Sequence, residues 1–66
     1  MRHPIIYKKI VQEMKARKET QSRIAEILGM TRQNFKKKLD GRNDWKIGEI
    51  EILCEHFNKN YYELFK

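Results

Sequence analysis

The sequence predicts an all-α fold: a single compact domain over residues 1–66, built from five short helices joined by tight turns. Three observations carry this reading. Apolar residues recur at helical spacing along the chain, no stretch alternates apolar and polar residues with a period of two, and helix-starting and helix-stopping residues stand at the ends of the periodic runs. A chain of 66 residues buries only roughly 60% of the surface it exposes when unfolded, so its core has to be simple and leaves little room for an enclosed active site.

Pro4 suits the first turn of a helix, where its missing N–H costs nothing, and behind it Ile6, Ile10 and Met14 repeat every fourth position with Tyr7 and Val11 alongside. That stripe runs to about Arg17. Thr20 is a candidate N-cap for a second helix whose apolar residues are Ile24, Ala25, Ile27 and Leu28, and Gly29 ends it by permitting a left-handed turn. Thr31 then offers the cap of a third helix with Phe35 and Leu39 four apart, closed by the turn signal Asp40-Gly41. Ile47, Ile50, Leu53, Cys54 and Phe57 define a fourth helix, with Cys54 read as a small buried hydrophobe. Asn60 caps a fifth, in which Tyr61, Leu64 and Phe65 are the packing candidates.

The net charge of +6 is unevenly spread. Residues 1–19 carry six basic and two acidic side chains, residues 20–43 the same, and residues 44–66 three basic against five acidic. The basic surface therefore belongs to the first two-thirds, where it attracts a polyanion, and nucleic acid is the leading partner class. No apolar run approaches the length of a membrane span, and Lys8 and Lys9 interrupt the apolar residues that a signal peptide would need, so the expected location is the cytoplasm. Cys54 stands alone, as do His3 and His56, so neither a disulfide nor a metal site is expected. No pair of carboxylates, nucleophile with base or phosphate loop occurs at working spacing, so the chain does not read as an enzyme. No cofactor or small-molecule ligand is expected. An aromatic platform for single-stranded RNA is also lacking.

Two short helices joined by three or four residues with a glycine between them form a supersecondary unit whose second helix can enter the DNA major groove. Ala25 is small enough for close crossing, and Ile24, Leu28, Met30 and Phe35 are expected to fill the angle between the helices. The stretch TQSRIAEILGMTRQNFKKKLDG resembles the helix-turn-helix of the Cro/CI (XRE) family of lambdoid phage Cro and repressor proteins. The likeness is carried by Gln21, Ala25, Gly29, the apolar Ile24, Leu28, Met30 and Phe35, and Gly41. It continues through Ile47, Ile50, Leu53, Cys54, Phe57, Asn60, Tyr61 and Leu64, and so covers nearly the whole chain. Two positions depart from the family's habit: Lys38, where an apolar residue is common, and Trp45, where a proline is. Lys38 is expected to lay its stem over the core and turn its ammonium toward phosphate.

The resemblance implies a lambda-repressor-like five-helix domain that regulates transcription by inserting its third helix into operator DNA. Chemistry and resemblance agree on the base-reading set. Phe35 and Leu39 face inward, which leaves Arg32, Gln33, Lys36 and Lys37 on the opposite side, with Arg32 suited to guanine and Gln33 to adenine. Gln21, Thr31, Asn34, Lys38, Arg42 and Asn43 are the phosphate candidates. One short helix reads few base pairs, so a dimer on DNA is expected, with self-association in the less basic last third through Ile52, Tyr62 and Phe65. An excisionase-like architectural protein is the alternative within DNA binding. From a different class, Glu49, Glu51, Glu55 and Glu63 keep open a protein-interaction module of the antirepressor or antitoxin kind.

Overall fold

The computed structural model describes residues 7–66. Five helices follow in order: α1 Lys8–Ala16, α2 Gln21–Leu28, α3 Arg32–Leu39, α4 Ile47–Phe57 and α5 Tyr61–Phe65. There is no strand among the described residues. Pro4, Ile6 and His3, to which the sequence reading gave places, lie outside them.

Local chemistry accounts for most of the boundaries. The Thr20 Oγ1 accepts from the Arg23 N–H at 3.1 Å and the Thr31 Oγ1 from the Asn34 N–H at 3.2 Å, so α2 and α3 each begin on a threonine that satisfies a free first-turn donor. Asn60 and Glu63 form a reciprocal pair at the start of α5, at 2.9 and 3.0 Å. At α4 only half of such a box exists, because the lysine side chain of Lys46 has no acceptor; the Lys46 N–H donates to the Glu49 Oε1 at 3.0 Å. Gly29 ends α2 at φ 73°, and this lets the Met30 N–H turn back to the Ala25 carbonyl at 3.0 Å. Lys18 and Asn58 take similar left-handed conformations after α1 and α4, at φ 57° and 54°.

One apolar core joins all five helices. It consists of Ile10 and Met14 from α1, Ile24 and Ala25 from α2, Phe35 and Leu39 from α3, Leu53 and Phe57 from α4, and Leu64 from α5. Full burial of each large side chain contributes about 1.5–3 kcal/mol. Around this core lies an aromatic group in which Trp45 meets Tyr7, Phe35 and Phe65 edge-on, at centroid distances of 5.8, 6.2 and 5.2 Å.

Three sequence expectations change here. Ile47 keeps the helical spacing of its fellows, yet it is 75% exposed, because it opens α4 before the helix meets its neighbours. Cys54 is half-buried rather than enclosed, and burial pushes its thiol pKa up. Phe65 is half-buried and packs within the chain, stacked on Tyr61 at 5.3 Å and edge-on to Tyr7 at 5.7 Å, so only part of its ring stays exposed for the seam between copies that the sequence suggests. Ile52 and Tyr62 remain outside, at 39% and 69% exposure. No helix among the described residues is long and apolar enough to cross a membrane.

Candidate nucleic-acid interface

α2 and α3 pack against each other across the three residues Gly29–Thr31. The inner side of α3 is fixed by Phe35 and Leu39, which are 0% and 1% exposed. Helical geometry then determines the outer side. Arg32 and Lys36 are four apart, as are Gln33 and Lys37, and all four are exposed along one stripe. Asn34 and Thr31 are exposed beside them, and the Thr31 hydroxyl, already accepting from Asn34, keeps its own proton to donate.

The electrostatics of this stripe are of one sign. α3 contains no acidic residue. Among the described residues, Arg17, Lys38, His56 and Lys59 each face a glutamate within 4.0 Å, whereas Arg32, Lys36, Lys37 and Arg42 enter no ion pair, a state they share with Lys8, Lys9, Lys15, Lys18, Arg23, Lys46 and Lys66. What sets α3 apart is that its free cations stand together on one exposed side. Lys36 and Lys37 do sit in the last turn of α3, where a cation favours the helix dipole by about 0.3–1 kcal/mol. Arg32 stands at the other end, where that dipole opposes it, so helix stability does not explain its presence.

Arg42 and Asn43 lie exposed in the turn that leaves α3. Gly41, at φ 78°, permits the reversal, and the Arg42 N–H donates to the Lys37 carbonyl at 2.8 Å. Gln21, half-buried, is the first residue of α2, directly after the Thr20 cap.

Lys38 requires a correction. Its ammonium does not reach outward toward phosphate: the residue is 7% exposed, and its Nζ donates to the Asp44 carbonyl at 2.7 Å and to the Glu49 Oε1 at 2.9 Å. It also lies 5.8 Å from the centroid of the Trp45 ring. The cause is position, since Lys38 is three residues after Phe35 and so shares the inward side of α3. The Trp45 Nε1–H has no acceptor among the described residues, so packing and the lysine hold that ring.

Glu49, read from sequence as part of an acidic surface, is instead the counterion of this arrangement. Burial raises its carboxyl pKa, but hydrogen bonds from the Lys46 N–H and the Lys38 ammonium, reinforced by both lysine charges, outweigh burial and leave it below the ordinary glutamate value. The pairing of positions 38 and 49 joins two helices, and no local periodicity announces it.

Two other features lie apart from this stripe. An open groove of about 250 Å³ is lined by Tyr7, Lys8, Lys9, Leu64, Phe65 and Lys66, none of them from α2 or α3. The Glu19 Oε2 lies 2.6 Å from the Nε2 of His56, and the Arg17 guanidinium donates to the Phe57 carbonyl at 2.6 Å, which ties the α1–α2 connection to the end of α4. Among the described residues, no group of three His, Cys, Asp or Glu side chains could hold a metal ion. No family model matches the chain, and no characterised protein or solved structure does so either.

Proposed function

We propose that the chain is a sequence-specific regulator that binds double-stranded DNA, with α2 and α3 acting as a helix-turn-helix and α3 as the helix that enters the major groove. The observation that supports this most directly is the outer side of α3: three cations and a glutamine at helical spacing, exposed and without carboxylate partners among the described residues, on a helix anchored by buried Phe35 and Leu39. Arg32 pairs with guanine through O6 and N7, and Gln33 with adenine through N6 and N7. Lys36 and Lys37 extend the same reading edge. Thr31, Asn34, Arg42, Asn43 and Gln21 hold backbone phosphate, which orients the domain without specifying sequence. Occupying an operator and excluding polymerase would then repress transcription, in the cytoplasm. The Cro/CI resemblance of residues 20–41 agrees with this reading.

Selection of bound duplexes from random-sequence DNA tests the proposal. The expected product is a short motif, repeated as an inverted pair with half-site centres about 34 Å apart if two copies bind together. Substituting Arg32→Ala or Gln33→Ala should relax the preference at one or two positions of that motif, each good bidentate contact contributing about 1–3 kcal/mol of discrimination. Recovery of no motif by the wild-type chain, or of an unchanged motif by both variants, would overturn the reading. Strong bending of the selected duplex would instead favour the architectural alternative.

A second reading, contact with another protein chain, is favoured by the exposure of Ile47, Ile52, Tyr61 and Tyr62 on α4 and α5 beside the exposed Glu51, Glu55 and Glu63. In the first instance this surface is proposed to pair two copies weakly on DNA. A monomeric mass at high concentration, with and without the selected duplex, would remove the pairing.

A further inference from the structure

Resting on the DNA-binding reading above, we infer that Lys38 is a positioning residue that holds the Arg42–Asn43 turn in a fixed relation to the outer side of α3. The turn after α3 is tied down at both ends by residues 37 and 38. At its start, the Gly41 N–H donates to the Lys38 carbonyl at 3.1 Å and the Arg42 N–H to the Lys37 carbonyl at 2.8 Å. At its end, the Lys38 ammonium donates to the Asp44 carbonyl at 2.7 Å. The same ammonium reaches the Glu49 Oε1 at 2.9 Å, and that oxygen also receives the Lys46 N–H at 3.0 Å. One side chain of α3 therefore grips the far end of the loop and the first turn of α4 together. Between the two ties, Arg42 and Asn43 project into solvent.

This arrangement has a consequence for DNA contact. The phosphate-holding loop and the base-reading stripe belong to one rigid unit, with the distance between them set by Lys38. A leucine or methionine at position 38 would fill the same inward space but leave the Asp44 carbonyl without its donor. The charge of Lys38 is neutralised by Glu49 inside the protein, so it adds nothing to phosphate attraction. Buried ion pairs are weak sources of net stability, and a role in orientation is consistent with retaining one here.

The variants K38M and E49Q separate positioning from direct contact, because the two roles predict opposite signs. Glutamine at position 49 still caps α4, so E49Q removes only the charge. If Lys38 positions the loop, both variants weaken binding to the selected duplex, each on the order of tenfold, and K38M/E49Q is no weaker than either alone. If Lys38 contacts phosphate, K38M weakens binding and E49Q strengthens it by releasing an ammonium, which would overturn the inference. So would additive losses in the double variant. Should a single variant fold poorly, the double variant carries no unpaired buried charge, and in it weaker binding accompanied by faster backbone exchange in the loop supports positioning, whereas weaker binding with unchanged exchange overturns it.

Amide hydrogen exchange of residues 42–46 in the free protein gives a measurement that does not involve DNA. Exchange at the Arg42 amide, whose acceptor is the Lys37 carbonyl, accelerates in K38M and the double variant if the clip exists, and unchanged exchange there would overturn it. The Lys46 amide is informative in K38M alone, because its own acceptor is Glu49. If the selection recovers no duplex, the DNA-binding reading fails by itself, and the exchange measurement still decides whether Lys38 holds the loop.

Discussion

The outer side of α3 and the seam where α4 meets the rest of the molecule use the same residue types to opposite ends. Along the seam, charges are paired within the chain: Lys38 with Glu49, His56 with Glu19, and Arg17 with Glu13 and the Phe57 carbonyl. On α3, Arg32, Lys36 and Lys37 enter no ion pair among the described residues. A charge satisfied within the chain orients helices, whereas a row of unsatisfied like charges on a rigid helix creates a field that a polyanion can satisfy. Position on the helix decides between the two. Lys37 and Lys38 are neighbours in sequence, yet one faces solvent and the other is 7% exposed.

Four experiments break or sharpen this contrast. The largest effect is expected for Phe35→Ala, which removes the fully buried ring holding α3 in place and meeting Trp45. Denaturant unfolding should show a loss of about 3–5 kcal/mol. In a chain this small that loss takes the seam and the outer stripe down together, and DNA binding with them. Survival of DNA affinity in F35A would mean that the stripe does not depend on the packed core.

Arg17→Ala probes a paired cation. It deletes the 3.0 Å contact to Glu13, the 2.6 Å bond to the Phe57 carbonyl and the stacking over the Phe57 ring at 5.4 Å. The expected cost is about 1 kcal/mol of stability, moderated by the partial exposure of the arginine, with the selected DNA motif unaltered. A changed motif would place the seam inside the recognition surface.

Acid should weaken the seam selectively through Glu49. Its carboxyl pKa is lowered in the folded protein, so its contribution is present in full above the unfolded value of about 4.3 and disappears as pH falls through the lower folded value. Thermal unfolding followed from about pH 6 down to about pH 3 should therefore show a steeper loss for the wild type than for E49Q. Parallel curves would show that Glu49 gains nothing on folding.

The smallest effects on stability belong to Lys36→Ala and Lys37→Ala, each below about 1 kcal/mol, since only a favourable position near the helix C-terminus is lost. Their effect on DNA binding should be plain. Each cation that neutralises a phosphate adds about 0.9 to the slope of log affinity against log salt, so the slope should flatten by that amount in any variant that loses such a contact. An unaltered slope together with a relaxed motif would assign the residue to base reading. If both slope and motif stay unaltered, these lysines are merely a solvated surface.

Much of the architecture is legible in the sequence because it is decided over distances of four residues or fewer. Thr20, Thr31 and Asn60 cap helices by bonds to N–H groups three positions on, and Gly29 and Gly41 mark reversals that a side chain would strain. The spacing of Phe35 and Leu39 likewise determines which side of α3 faces outward, and with it the exposure of Arg32, Gln33, Lys36 and Lys37. What only the tertiary structure decided concerns which helices become neighbours. That choice buried Lys38 against Asp44 and Glu49, drew Phe65 into the aromatic group with Tyr7 and Trp45, and left Ile47 in solvent despite its apolar side chain. Periodicity assigns a residue to a side of its own helix, but what waits on that side comes from another part of the chain. For Lys38 it was a carboxylate and a carbonyl, and these turned a candidate phosphate contact into an internal clip.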